Sequence, residues 1–145
     1  MHGDPIRPDT AHRKLRTVAR LLAAAGLAAD AYLHAHLAGR YDAVSATLSQ
    51  GTLFRIEAAI AALAALLLLV WRRPLADAFA WTVAAGGLAA LLLYRYVDVG
   101  ELGPLPDMYE PAWFTDKNLV VIAQVLAIDA TSLLLLTRRR RRRHA

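Results

Sequence analysis

The stretch Ala58-Ala-Ile-Ala-Ala-Leu-Ala-Ala-Leu-Leu-Leu-Leu-Val70 decides the fold. A helix that faces water on one side carries a polar stripe every 3.6 residues. This stretch has no polar residue on any side. Ala and Leu are strong helix formers, and the period-2 alternation that marks a membrane barrel is absent. With its flanks the stretch becomes a segment over residues 51–71, uncharged from Ala58 to Trp71. About 20 helical residues at 1.5 Å each match a hydrocarbon core about 30 Å thick.

Three more segments read the same way, over residues 17–37, 75–97 and 118–137, the third of the four being uncharged from Ala78 to Tyr94. The 145 residues are 57% hydrophobic and 20% charged, on the apolar side of a soluble domain's ~45–50% and ~25%. The length suits one domain and excludes a multidomain enzyme. Zero cysteines exclude disulfides, Cys-ligated zinc and iron–sulfur clusters. The expected fold class is all-α, an integral membrane four-helix bundle.

Charge predicts its orientation. Residues 1–16 form a basic tail with Arg7, Arg13, Lys14 and Arg16, and Arg20 follows just inside the first span. Arg72 and Arg73 join spans two and three, and the tail 138–145 opens with Arg138, Arg139, Arg140, Arg141, Arg142 and Arg143. Thirteen of the 17 basic residues thus fall on one side, against Arg40, Arg55, Arg95 and Lys117 on the other. Lys and Arg stay cytoplasmic, so both termini are expected there, as an even number of spans requires. The arginine run suits anchoring to anionic lipid, at about 1 kcal/mol per residue. A nucleic-acid role would need aromatic residues interleaved to stack on bases, and none are. The outer loop 98–117 is acidic, broken by Pro104, Pro106 and Pro111, and ends on the interfacial pair Trp113 and Phe114. One rival reading is a signal peptide, from Arg13-Lys-Leu-Arg16 through Leu21–Ala28 to a small-x-small site at Ala29-Asp-Ala31. The apolar run continues to Leu37, which favours an uncleaved first span.

Ionisable groups inside spans are functional-site candidates by default. Counting from the outer ends places His34 about 5 Å deep, Asp30 about 10 Å, Arg55 about 6 Å, Glu57 about 9 Å, Arg95 about 3 Å and Gln124 about 9 Å. Asp129 alone stands near mid-membrane. Asp30 and His34, four apart, share a helix face with Gly26. Glu57, Ala61 and Ala65 line a similar stripe on span two, and Gly86–Gly87 offer a small surface on span three. Packed through these faces, the bundle brings Asp30, His34 and Glu57 into an outward-opening pocket, with Arg55 or Arg95 balancing the charge. His36 is turned about 200° from His34, so His34 is the expected pocket member.

Three readings of such a pocket compete: a structural ion-pair network, a metal or haem site on His34, Asp30 and Glu57, and a proton or solute path through Glu57, Asp30 and Asp129. No HExxH, GxSxG or phosphate-binding glycine loop occurs, so no enzyme is expected. The sequence specifies no cofactor.

The stretches Asp30-Ala-Tyr-Leu-His34-Ala-His36-Leu-Ala-Gly-Arg-Tyr41 and Gln50-Gly-Thr-Leu-Phe-Arg-Ile-Glu57-Ala58 resemble a group of small, uncharacterised four-span membrane proteins of actinobacteria. Those carry a His-x-His end of the first span and a Tyr leading into a Gly-x-Leu-Phe start of the second. The resemblance implies fold and membrane location but no activity, and this chain departs from the group at Arg55 and Glu57. The Ala, Leu and Arg bias suits a GC-rich bacterial genome. The expectation is a small polytopic plasma-membrane protein of non-enzymatic, accessory or scaffold type, in contact with the bilayer and with a membrane-protein partner or a second copy. The alternative is a metal-, haem- or quinone-binding electron-transfer or transport protein using His34, Asp30 and Glu57.

Overall fold

A computed structural model of the chain describes residues 8–143, and within them all side chains but those at 8, 9, 141 and 142. Arg7 and the rest of 1–7, the side chains of Arg141 and Arg142, and residues 144–145 lie outside what is described. Four α-helices follow one another: α1 (Pro8–Ala38), α2 (Gln50–Val70), α3 (Pro74–Tyr96) and α4 (Thr115–Arg143), with a 3-10 turn at Gly39–Tyr41 after α1. All four are long and apolar enough to cross a membrane. At 21 residues, α2 is about 32 Å long. By the same measure α1 (31 residues) and α4 (29 residues) run past a single span. Residues 8–16 of the expected N-terminal tail and the arginine run 138–143 are therefore continuations of helices.

Local chemistry sets the helix ends. Ser49 caps α2, its Oγ accepting from the Thr52 backbone N–H at 3.0 Å. Pro74 opens α3, where its missing N–H and fixed φ cost nothing. The loop between α3 and α4 turns at Gly100 and Gly103, with φ of 63° and 58°, values that glycine adopts freely.

The core is built of small residues. Ala23 and Leu27 on α1, Ala61, Ala64 and Leu68 on α2, Ala80 and Ala84 on α3, and Ala127 and Leu134 on α4 are fully buried. Small side chains let helix backbones approach closely where lipid supplies no hydrophobic drive. Gly26 is the extreme case: a Cβ there would stand 2.8 Å from the Ala123 carbonyl oxygen of α4. The outer surface is the inverse of a soluble bundle's, with Leu66 55% and Leu63 48% exposed on the segment that has no polar stripe. α1 packs closely on both α2 and α4, while α2 and α3 pack least closely of the neighbouring pairs.

Contacts between distant residues sort the ends of the bundle. Arg16 donates to the Thr137 hydroxyl at 2.6 Å, and Arg138 donates to the Arg72 carbonyl at 2.8 Å. The start of α1, the α2–α3 turn and the end of α4 therefore share one end. At the opposite end Tyr41 meets Glu110, and the Leu48 N–H donates to the Pro104 carbonyl. The helices run up, down, up and down.

Candidate ligand-binding cavity

One level of the bundle draws a polar group from three of its helices. On α1, Asp30 is fully buried and His34 stands one turn above it. The His34 Nδ1 lies 3.0 Å from the Asp30 carbonyl oxygen and 3.1 Å from Asp30 Oδ1. With two oxygens as neighbours, that nitrogen is the donor of the ring. From α4, Gln124 donates through Nε2 to Asp30 Oδ1 at 3.1 Å. From α2, Glu57 reaches the space above Gly87 of α3, where a Cβ would come within 2.9 Å of Glu57 Oε1 and 2.6 Å of Gln124 Nε2. Gly87 is thus the residue that leaves room for the layer. Three buried oxygens in it have no hydrogen-bond partner among the described residues: Asp30 Oδ2, Glu57 Oε1 and Gln124 Oε1. Unsatisfied groups of this kind each cost about 1–3 kcal/mol.

Above this layer opens a cavity of about 520 Å³, within the size range of small-molecule sites. Its floor includes His34, Glu57 and Gly87, and its walls are the apolar Leu53, Phe54, Leu91 and Val120. The α3–α4 loop forms a roof through Leu105, Met108 and Glu110, tied down where the Glu110 N–H donates to the Tyr94 carbonyl at 3.0 Å. Tyr41 donates to Glu110 Oε2 at 2.9 Å. Lys117 is buried at the rim, donating to the Ala112 and Glu110 carbonyls at 2.8 and 2.9 Å and lying 3.4 Å from Glu110 Oε2. Those charges cancel one another. Arg95 does not share in this: its guanidinium packs over the rings of Tyr96 and Trp113, at 4.9 and 5.2 Å, and its Nε is buried without a partner.

The structure places the expected site residues unequally. Asp30, His34 and Gln124 are hydrogen-bonded together, with Glu57 beside them and Arg95 on the same cavity. His36 lies outside, stacked on Tyr32. Arg55 does not balance the layer. It is exposed and forms a two-pronged bridge to Asp42 at 2.7 and 2.8 Å, because two residues from Glu57 is again about 200° of rotation. That bridge holds the Asp42 carboxyl below the usual carboxylate range. Asp129 is likewise outside the cluster, exposed on the bundle surface. Nor is a metal triad formed by His34, Asp30 and Glu57: among the described residues no three His, Cys, Asp or Glu side chains gather to hold an ion. Arg138, expected to anchor in lipid, turns inward instead.

That inward turn reveals a centre which the sequence reading missed. Asp77, fully buried on α3, receives a hydrogen bond from Arg138 Nε at 2.9 Å and lies 3.0 Å from Arg20 Nη2. The second contact is an ion pair off the hydrogen-bond direction. Arg20 also donates to the Leu68 carbonyl at 2.9 Å. The clue in the sequence is an acid one turn into α3, placed among the cations of that end. Tyr41, Glu110 and Lys117 at the rim left no local signal, since Tyr41 and Glu110 stand 69 residues apart.

Comparison of the chain with protein-family models, with curated proteins and with solved structures finds no match.

Proposed function

We propose that this is a non-enzymatic, multi-pass protein of a bacterial plasma membrane, with both termini cytoplasmic, that binds a small amphipathic molecule in its outward cavity. One observation carries the reading. The cavity of about 520 Å³ is walled by apolar side chains, yet faces Glu57 and Arg95, whose Oε1 and Nε have no hydrogen-bond partner among the described residues. Binding sites have this composition, mostly apolar with a few placed polar groups. The basic end of the bundle is the cytoplasmic one by the positive-inside rule, which turns the cavity to the outer leaflet. Fusions of alkaline phosphatase and of green fluorescent protein after residue 145 test the orientation, with fluorescence and no phosphatase activity expected. For the cavity, native mass spectrometry of the full chain in mild detergent is expected to show a bound amphiphile. Leu53→Trp, which fills the cavity, removes it. An empty wild-type protein that takes up no lipid or quinone added to the detergent would overturn the reading.

A scaffold role has separate support in Asp129. It is exposed on α4 about 14 Å from Arg138, a depth at which a charge costs about 2.5–3.5 kcal/mol by insertion scales. A second copy in the same orientation sets Asp129 against its own equivalent, where two carboxyl groups can share a proton. The chain has no cysteine, so Leu126→Cys gives a clean cross-link across that face. Disulfide dimers are expected, and Asp129→Leu is expected to abolish them. Uncross-linked protein in bilayers would rule this contact out.

A further inference from the structure

The cavity's two unsatisfied groups differ in kind, and together they describe a ligand. Among the described residues Arg95 is a cation without an anion: Lys117 is paired with Glu110, Arg55 with Asp42 and Arg40 with Asp116, whereas the contacts of the Arg95 guanidinium are with the Tyr96 and Trp113 rings. Glu57 Oε1 is a buried carboxyl oxygen without a donor. The two face the same cavity and do not meet each other. What completes both is a molecule with an acidic group for Arg95 and a hydroxyl or amine hydrogen for Glu57. An arginine fork suits a carboxylate or phosphate, which it can bind through two parallel hydrogen bonds.

The structure also shows a way in. The outer loop roofs the cavity on the water side and is pinned there by the Glu110–Tyr94 and Leu48–Pro104 backbone bonds. Between α2 and α3, the least closely packed neighbours, the lining residues Ile56 and Leu93 are 47% and 43% exposed, and Ala90 is exposed beside them. This side opening is apolar and faces the hydrocarbon of the outer leaflet. A polar solute would have to cross that apolar lip, whereas a lipid crosses it without leaving its own phase.

Resting on the binding reading above, we infer that the cavity takes the headgroup of an anionic lipid, its acidic group on Arg95 and a hydroxyl donating to Glu57, with the chains left in the bilayer through the α2–α3 opening. Phosphatidylglycerol has both features. Phosphatidylcholine has a phosphate but no hydroxyl, and its net charge is zero.

The test is lipid exchange on the full chain in detergent, followed by native mass spectrometry, with phosphatidylglycerol, phosphatidylcholine and soluble glycerol 3-phosphate as probes. Wild-type protein is expected to prefer phosphatidylglycerol at least about tenfold, the factor a charge-assisted hydrogen bond supplies. Arg95→Gln is expected to weaken both lipids, phosphatidylglycerol the more because its net charge is negative, and Glu57→Ala to weaken phosphatidylglycerol alone and so bring the preference towards unity. Arg55→Gln, a cation at the same end but outside the cavity, leaves the preference intact and so separates the site from general surface charge. Ala90→Trp, which blocks the side opening, is expected to lower occupancy by both lipids. Equal binding of the two lipids, still blocked by Ala90→Trp, overturns the headgroup assignment while the cavity reading stands. Binding unaffected by Ala90→Trp and Leu53→Trp overturns both. Competition by glycerol 3-phosphate as effective as that of phosphatidylglycerol makes the chains dispensable and overturns the lipid source.

Discussion

Replacing Asp77 by Leu should cost more stability than replacing Arg20 and Asp77 together. The Asp77 side chain is 0% exposed and that of Arg20 is 7%, so removing the acid leaves a buried guanidinium with no counter-charge. Breaking a buried pair from one side costs about 3–5 kcal/mol. Arg138 adds less, because its side chain is 27% exposed and can swing to the headgroups. At about 1.4 kcal/mol per factor of ten, Asp77→Leu should raise the unfolded-to-folded ratio by about two to nearly four decades, a large part of a typical 5–15 kcal/mol total. Arg20→Leu should do less damage, since Asp77 keeps its hydrogen bond from Arg138 while the Leu68 carbonyl loses a donor. The double variant buries no charge and should return to within about 2 kcal/mol of the wild type, as apolar replacement of buried pairs does elsewhere. Equilibrium unfolding in detergent, followed by tryptophan fluorescence, gives all four corners of the cycle. A double variant as unstable as the sum of the singles would refute the reasoning, and so would an Asp77→Leu protein indistinguishable from the wild type.

Two further outcomes are expected. Gly26→Leu should destabilise the bundle by about 1–3 kcal/mol through overpacking against the Ala123 carbonyl, whereas Gly86→Ala, with nothing within 4 Å, should be neutral or gain up to about 1 kcal/mol of helix propensity; thermal unfolding of the pair separates them. The Asp42 carboxyl is held low by Arg55, so the bridge contributes above the ordinary Asp value of 3.8 and is lost as pH falls through the lower folded value; amide exchange at residues 42–49 should quicken below pH 3.8 in the wild type and be fast at every pH in Asp42→Asn.

The four helices were legible because Ala58–Val70 and its three counterparts have no polar face, a property that survives without knowledge of neighbours. The shared depth of Asp30, His34, Glu57 and Gln124 follows from counting along helices, and the i,i+4 spacing of Asp30 and His34 fixes their common face. Rotation is where the reading fell short. The 200° turn that separates His36 from His34 separates Arg55 from Glu57 equally, and the 140° between Gln124 and Asp129 keeps both from facing inward. Asp77 escapes for another reason: the cations of that end were read for orientation alone, whereas two of them, Arg20 and Arg138, meet an acid inside the bundle. The roof of the cavity depends on partners tens of residues apart, which no periodicity encodes.

The clasp on Asp77 also has a place in time. Its three members leave the ribosome in the order Arg20, Asp77, Arg138, and each belongs to a different helix. While α4 is still being made, α1 and α3 can meet, yet the Asp77 oxygen that receives Arg138 is still vacant. Closure of the basic end is then a late event of biogenesis, and chains stalled before position 138 should be the ones that quality-control proteases find first.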